Sequence, residues 1–221
     1  MDGFDLVIFD CDGVLVDSER LTVGIEARLL TEMGAPNSEL EVVNTFMGRS
    51  AASAQAELDR ILGPALAVEF DRRSTAEIHA ALERELTPVP GIETVLARLS
   101  GQGRQSCVAS SGSHEKIRRT LGITGLYGFF EGRIFSATEV PRGKPAPDLF
   151  LHAAARMGTD PGGCAVVEDS VPGVLAADAA GMTVYGFAGG LAPEGALEAA
   201  GAVVVHRKDE LCDALGETRH R

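Results

Sequence analysis

One stretch near the start of the chain decides the fold: residues 4–17 read FDLVIFDCDGVLVD. The apolar run from Leu6 to Phe9 is typical of a strand that is buried on both faces of a parallel sheet. Two carboxylates, Asp10 and Asp12, follow it directly, and a glycine then lets the chain turn. Carboxylates this close repel one another unless a cation or a shared proton lies between them. We therefore expect them to serve chemistry in the crevice where open α/β sheets bind ligands.

The rest of the chain divides into a helical block and an alternating block. Only helices are predicted between Asp17 and Thr87, and the proline- and glycine-containing residues 87–91 then break the chain. Beyond them strands and helices alternate, which is typical of a doubly wound parallel sheet. The further strands are predicted at 105–109, 133–136, 164–167, 183–187 and 202–205. The helices are predicted at about 18–33, 39–46, 50–62, 66–86, 91–100, 114–121, 147–157, 171–180, 193–200 and 208–215.

This pattern predicts an α/β fold in two parts. We expect a doubly wound, Rossmann-like core of residues 1–16 and 88–221 and an inserted all-helical cap domain of residues 17–87. The links at 14–18 and 84–91 are the candidate hinges for closure of the cap over the core.

Composition narrows the function classes. The chain has 221 residues, 45% hydrophobic and 24% charged, with a net charge of −12, so nucleic acid and anionic membranes are not expected as partners. The four cysteines are widely spaced and form no C-x-x-C pair, which argues against a zinc knuckle. We see no signal-type N-terminus and no membrane-length apolar run, and we expect a cytoplasmic protein.

Four short segments fall at predicted strand ends or in the loops after them: 10–12, 110–113, 143–148 and 168–170. Because parallel strands point the same way, we expect these segments at one edge of the sheet. Their carboxylates suit a hard divalent cation, most simply Mg²⁺. The Ser-Ser-Gly-Ser turn before a helix offers backbone N–H groups to an anion, and Lys144 adds a positive charge. Such a site can clamp a phosphoryl group.

In this order, the segments resemble the motifs of the haloacid dehalogenase superfamily, in its β-phosphoglucomutase-like phosphatase subgroup with a helical cap. The motifs stand here as Asp10-Cys11-Asp12-Gly13-Val14, Ser110, Lys144 and Glu168-Asp169. The resemblance implies that Asp10 attacks phosphorus to give an aspartyl phosphate. It further implies that Asp12 protonates the leaving oxygen and then activates water.

The resemblance also implies the binding residues. Ser110 and Lys144 would hold the phosphoryl oxygens, helped by the backbone N–H groups of Ser111 and Gly112. The residues implied for Mg²⁺ are Asp10, Asp12 through its backbone carbonyl, Asp169, and Glu168 either directly or through water.

Some of these residues also have a structural reading. Lys144 could be a solvated loop charge, and Glu168 and Asp169 could cap the helix predicted after Ser170. Arg49 and His114 are candidates for substrate specificity. For Arg49 an exposed arginine is an equally simple reading, and for His114 we favour a surface or capping histidine.

We favour a phosphatase for a small phosphorylated metabolite, such as a sugar phosphate, in a monomer or weak homodimer. The alternative is a sugar phosphomutase, which in this subgroup has a cap histidine where this chain has Thr22. Asp12 argues against the dehalogenase branch, and the absence of lysine before Lys116 argues against a phosphonatase. A phospho-receiver or phosphate-binding module is the non-enzyme alternative.

Overall fold

The structure is a computed structural model that describes residues 3–46 and 51–216. Its strands are β1 (Leu6–Phe9), β2 (Gln105–Ser110), β3 (Ile134–Ser136), β4 (Cys164–Glu168), β5 (Thr183–Phe187) and β6 (Val203–Val205). Its helices are α1 (Ser18–Glu32), α2 (Glu39–Phe46), α3 (Ala51–Leu62), α4 (Pro64–Glu85), α5 (Ile92–Gly101), α6 (His114–Ile123), α7 (Asp148–Arg156), α8 (Val171–Ala179), α9 (Ala196–Ala199) and α10 (Lys208–Gly216).

The strands form one parallel sheet in the order β3-β2-β1-β4-β5-β6. This order is that of a doubly wound sheet, in which ligands bind outside the carboxyl ends of the strands near β1. The predicted α/β fold class is therefore confirmed. All four residues of β1 are fully buried because β1 lies between β2 and β4 and helices cover the sheet. That burial explains the unbroken apolar run in the sequence.

The chain forms two compact units. One comprises Met1–Asp17 and Thr87–Arg221 and contains the sheet; the other comprises Ser18–Leu86 and contains α1 to α4. In the helical unit, α4 packs against α1 and α3, and α1 also packs against α2. Leu29, Leu30, Val42 and Phe70 are among the buried residues of this small core.

Two helices begin two or three residues away from the predicted start. Helix α4 begins at Pro64, two residues early, because proline suits the first turn of a helix, where its missing N–H is not needed. Helix α9 begins at Ala196, whereas Pro193 was predicted. Gly195 precedes it in the left-handed conformation, with φ of 74°, and residues 193–195 form a turn. Of the helices in the described ranges, none is both long and apolar enough to cross a bilayer.

Candidate functional site

Asp10 directly follows the central strand. Its backbone N–H donates to the carbonyl of Val167 at 3.0 Å, which extends the pairing of β1 with β4 by one residue. The residue is 7% exposed. Since β2 and β4 flank β1 and all three run parallel, the residues after each strand lie at the same edge of the sheet. The four segments singled out in the sequence reach this edge.

Lys144 connects two of these segments. Its Nζ atom donates to Asp10 Oδ1 at 2.5 Å and to Glu168 Oε1 at 2.6 Å, and also to the carbonyl of Ala109 at 3.2 Å. Its side chain is only 5% exposed. A buried ammonium that donates to two carboxylates is held in one position, so the reading of Lys144 as a solvated loop charge is wrong.

The charges at this edge are unbalanced. The pKa of Asp10 is raised to about 7, chiefly by burial and also by the nearby carboxylates of Glu168 and Asp12, against the opposing effect of Lys144. Although burial alone would lower the pKa of Lys144, Asp10 and Glu168 hold it above its ordinary value. The lysine is therefore charged, and one ammonium faces more than one carboxylate. The site therefore carries net negative charge, which a bound cation would balance.

Glu168 is held by donors on both oxygens. Its Oε1 accepts from Lys144, and its Oε2 accepts from the backbone N–H groups of Asp169 and Ser170, each at 2.9 Å, and from the Ser170 hydroxyl at 2.8 Å. Ser170 also caps α8 by accepting from the N–H of Gly173. A Cβ atom on Gly173 would lie 1.8 Å from Glu168 Oε1, so the carboxylate occupies the space that only glycine leaves.

The turn that the sequence predicts as an anion loop follows β2, and hydroxyl side chains hold its conformation. The hydroxyl of Ser110 accepts from the N–H of Gly112 at 3.2 Å, and Ser113 caps α6 by accepting from the N–H of Lys116. The hydroxyl of Ser136 donates to the carbonyl of Gly112 at 2.7 Å and ties the turn to β3. The predicted turn before a helix is present, and the helix begins at His114 as predicted.

Asp12 forms an ion pair with a second lysine, Lys116. The Nζ atom of Lys116, from the first turn of α6, lies 2.8 Å from Asp12 Oδ2. Between the two aspartates, Cys11 is 1% exposed and its thiol lies 3.7 Å from the Thr120 hydroxyl, so its side chain packs inward. Each aspartate of the first segment is thus paired with a different lysine.

Comparison with known proteins identifies the family. Residues 4–181 match the family model for haloacid dehalogenase-like hydrolases. The chain belongs to the haloacid dehalogenase-like hydrolases. A curated relative, the 6-phosphogluconate phosphatase of Escherichia coli, is 30% identical over 188 residues, covering 85% of this chain and 84% of its own. The resemblance noted in the sequence is thereby confirmed.

Solved structures agree with this membership. A haloacid dehalogenase-like protein of unknown function from Agrobacterium tumefaciens is 37% identical, with a TM-score of 0.85 over 97% of this chain and 100% of its own. A structure described as a putative β-phosphoglucomutase from Thermotoga maritima is 28% identical, with a TM-score of 0.79 over 96% of this chain and 98% of its own. This protein is therefore an enzyme of the hydrolase family whose relatives include phosphatases.

The remaining residues predicted for the site are Asp169, His114 and Arg49, and they have different surroundings. Asp169 is 2% exposed, and Gly190 leaves room for it because a Cβ there would lie 2.6 Å from its Oδ2. His114 lies with Nε2 at 2.8 Å from Glu139 Oε1, an intramolecular pair that fits the capping or surface reading. Arg49 lies outside the described residues.

Sequence reasoning missed two lysines of this hydrolase. Lys116 gave a weak signal, since it is one of three lysines in the chain and stands in the first turn after the anion loop. Lys208 gave none, because it lies after β6, where no motif was recognised. It is 5% exposed, and its Nζ is 3.3 Å from the centroid of the Phe187 ring. Burial lowers its pKa to about 7, although the Asp169 carboxylate acts in the opposite direction.

The residues at this edge fit a hard divalent cation by type and charge. Asp10, Glu168 and Asp169 are each at most 7% exposed, and carboxylate oxygens are the ligands that Mg²⁺ prefers. In residues 3–46 and 51–216, however, no three acidic, histidine or cysteine side chains already converge as a metal cage. Lys144 bridges Asp10 and Glu168 instead.

Proposed function

We propose that this hydrolase is a Mg²⁺-dependent phosphatase that releases phosphate from a small phosphorylated metabolite through an aspartyl-phosphate intermediate. The observation that carries the proposal is the buried contact of Lys144 with Asp10 at the carboxyl end of β1. A carboxylate that is fixed in place beside a permanent cation suits a nucleophile that attacks an anionic phosphoryl group.

Asp10 and Asp12 have different tasks in the first step. An Asp10 oxygen forms a bond to phosphorus while the bond between phosphorus and the ester oxygen breaks. Asp12 gives its proton to the departing oxygen, which leaves as an alcohol. The donors of Lys144 are bonded to Asp10, Glu168 and the carbonyl of Ala109, so it contributes positive charge beside the phosphoryl oxygens. The turn at Ser110 binds these oxygens as negative charge develops there.

The second step regenerates the enzyme. Asp12, now a carboxylate, takes a proton from water as the water oxygen bonds to phosphorus. The bond between phosphorus and the Asp10 oxygen breaks, which releases phosphate and returns the Asp10 carboxylate. Lys116 lies at hydrogen-bond distance from Asp12 and stabilises its ionised form between the two proton transfers.

Asp10, Asp169 and the backbone carbonyl of Asp12 are the groups that we propose would hold Mg²⁺. Bound there, the ion would supply positive charge to the phosphoryl oxygens and lower the pKa of Asp10. Glu168 is less suited to direct ligation because both of its oxygens already accept hydrogen bonds. We propose that its main task is to position Lys144.

A phosphomutase is the second candidate. Thr22, at the position of the mutase histidine, has a hydroxyl that donates to the carbonyl of Ser18 within its own helix at 3.0 Å. A threonine cannot supply the protonatable ring of a histidine. This favours hydrolysis of the aspartyl phosphate over return of the phosphoryl group to the sugar. One curated relative supports the phosphatase: a phosphorylated carbohydrates phosphatase from Thermotoga maritima is 29% identical over 96% of this chain and 99% of its own.

We further propose that Ser18–Leu86 acts as a cap that closes over the core, in a cytoplasmic monomer or weak homodimer. We propose no binding of nucleic acid or membranes. The cap would set which phosphorylated metabolite enters, with Arg49 and His114 as candidate specificity residues.

The test is phosphate release from a panel of sugar phosphates, sugar acid phosphates and nucleotides with Mg²⁺. We expect turnover with at least one of them and none with the Asp10→Asn variant. Glucose 1-phosphate separates the two candidates, because isomerisation to the 6-phosphate faster than phosphate release would establish the mutase. Normal phosphate release by Asp10→Asn would contradict both.

A further inference from the structure

We infer that Lys116 selects substrates whose leaving group itself carries a negative charge, a carboxylate or a second phosphate. The inference rests on the proposed function, since it depends on Asp12 meeting the leaving oxygen. It assigns the second lysine of the site to the part of the substrate that departs, and Lys144 to the phosphoryl group that is transferred.

The placement of Lys116 is well defined. Its backbone N–H is bonded to the Ser113 hydroxyl at the start of α6, and its stem passes close to Gly112, where a Cβ would lie 3.3 Å from the Lys116 Cδ. Its ammonium reaches Asp12 Oδ2 at 2.8 Å. The cation is therefore anchored between the anion loop and the proposed acid.

The two lysines differ in access. The side chain of Lys116 is 48% exposed, whereas that of Lys144 is 5% exposed and already donates to Asp10, Glu168 and the carbonyl of Ala109. An ammonium has three donors, and the described partner of the Lys116 ammonium is Asp12. Lys116 consequently has donors available to a bound molecule.

The position of Lys116 beside the proposed acid gives it a reason to meet an anion. Asp12 meets the leaving oxygen in the first step, so the ammonium that lies 2.8 Å from its Oδ2 is near the part of the substrate that departs. A carboxylate or phosphate on the leaving group forms an ion pair with the donors of Lys116 that Asp12 does not use, and a neutral alcohol does not.

The test compares substrates that differ only in this charge. 3-Phosphoglycerate and glycerol 3-phosphate differ by a carboxylate in place of a hydroxymethyl group, as do 6-phosphogluconate and glucitol 6-phosphate. Fructose 1,6-bisphosphate and fructose 6-phosphate differ by a second phosphate. Calorimetry with Mg²⁺ gives the dissociation constant of each compound for the Asp10→Asn variant, alone and combined with Lys116→Met or Lys116→Arg. The value of kcat/KM for each compound is measured on the wild type.

The free energy of a charged hydrogen bond corresponds to about a tenfold ratio in dissociation constant. We therefore expect at least one pair to show a preference of about tenfold or more for its anionic member. We expect Lys116→Met to reduce that preference to about twofold or less, and Lys116→Arg to keep most of it. The pairs show whether carboxylate or phosphate is the favoured charge. Equal affinity within every pair, or a preference that survives in Lys116→Met, would overturn the inference. Absence of phosphate release by the wild type with the binding preference intact would instead contradict the proposed function alone.

Discussion

The Nζ atom of Lys144 lies 2.5 Å from Asp10 Oδ1 in a buried contact that joins the loop before α7 to the end of β1. Removing this ammonium leaves two buried carboxylates, those of Asp10 and Glu168, without their shared cation. The stability of the core and the chemistry of the site therefore depend on the same side chain.

We expect Lys144→Met to lower kcat by about a hundredfold to a thousandfold, because a positive charge beside the developing negative charge is lost. It should also lower the free energy of unfolding by about 3–5 kcal/mol, since breaking a buried pair leaves an uncompensated charge. Steady-state kinetics and urea unfolding measure the two effects. Arg142→Met is the matched control: Arg142 pairs with Asp148 at the surface, with its side chain 70% exposed, so both values should stay near those of the wild type.

Gly173→Ala tests the support of Glu168. The new Cβ would lie 1.8 Å from Glu168 Oε1 and would force the carboxylate away from Lys144. We expect turnover to fall about tenfold or more, with a loss of about 1–3 kcal/mol in stability from overpacking. Gly122→Ala is the control, because a Cβ added there would have nothing within 4 Å and alanine suits a helix. Unchanged activity in Gly173→Ala would mean that Glu168 is not needed where the structure places it.

Lys208→Met should stabilise the protein. The Lys208 Nζ is buried without a hydrogen-bond partner among the described residues, and its contact with the Phe187 ring offsets only part of that cost. Methionine has a similar length and no donor to satisfy. We expect a gain of about 1–3 kcal/mol at pH 7, read from urea unfolding in the presence of a chelator.

The same lysine predicts a pH dependence. Its pKa is lowered to about 7 in the folded chain, against 10.5 for the ordinary side chain. Between these values the unfolded chain binds more protons at this residue, so its contribution makes folding more favourable as the pH rises. The stability difference between Lys208→Met and the wild type should therefore be largest below pH 7 and shrink toward pH 10. A difference that does not change with pH would contradict the lowered pKa.

Much of the site could be predicted because it follows local rules. The apolar run at Leu6–Phe9 marks a strand buried on both faces, and the parallel topology brings the residues after β1, β2 and β4 together. Ser113 and Ser170 act as helix caps, as short hydroxyl side chains do before a helix. The strand and the two caps depend on residues that are near one another in sequence, and the gathering of the strand ends follows from the parallel topology.

The contacts that were missed depend on distant residues. Lys116 is 104 positions from Asp12, and nothing local shows that its side chain turns toward that carboxylate. Lysine side chains are normally exposed, so nothing local predicts that Lys208 is buried. Its burial follows from tertiary packing. The start of α9 depends on the left-handed turn at Gly195.

Removal of the metal should abolish turnover. Chelation by EDTA is expected to stop phosphate release and added Mg²⁺ to restore it, because the carboxylates of the site exceed its cations. Mg²⁺ at about 100 times its dissociation constant should add about 2.7 kcal/mol to the free energy of unfolding, and Asp169→Asn should lose most of that gain. Full activity in EDTA would contradict the proposed metal dependence.

The most direct test of the central claim is to find the residue that carries the phosphoryl group. The protein is mixed with radiolabelled acetyl phosphate and Mg²⁺, quenched in acid, digested and mapped by mass spectrometry. We predict base-labile label on Asp10, absent in Asp10→Asn and retained in Asp12→Asn, where hydrolysis of the intermediate is slowed. Label on another residue, or phosphate release with no label on Asp10 under single-turnover conditions, would contradict the account.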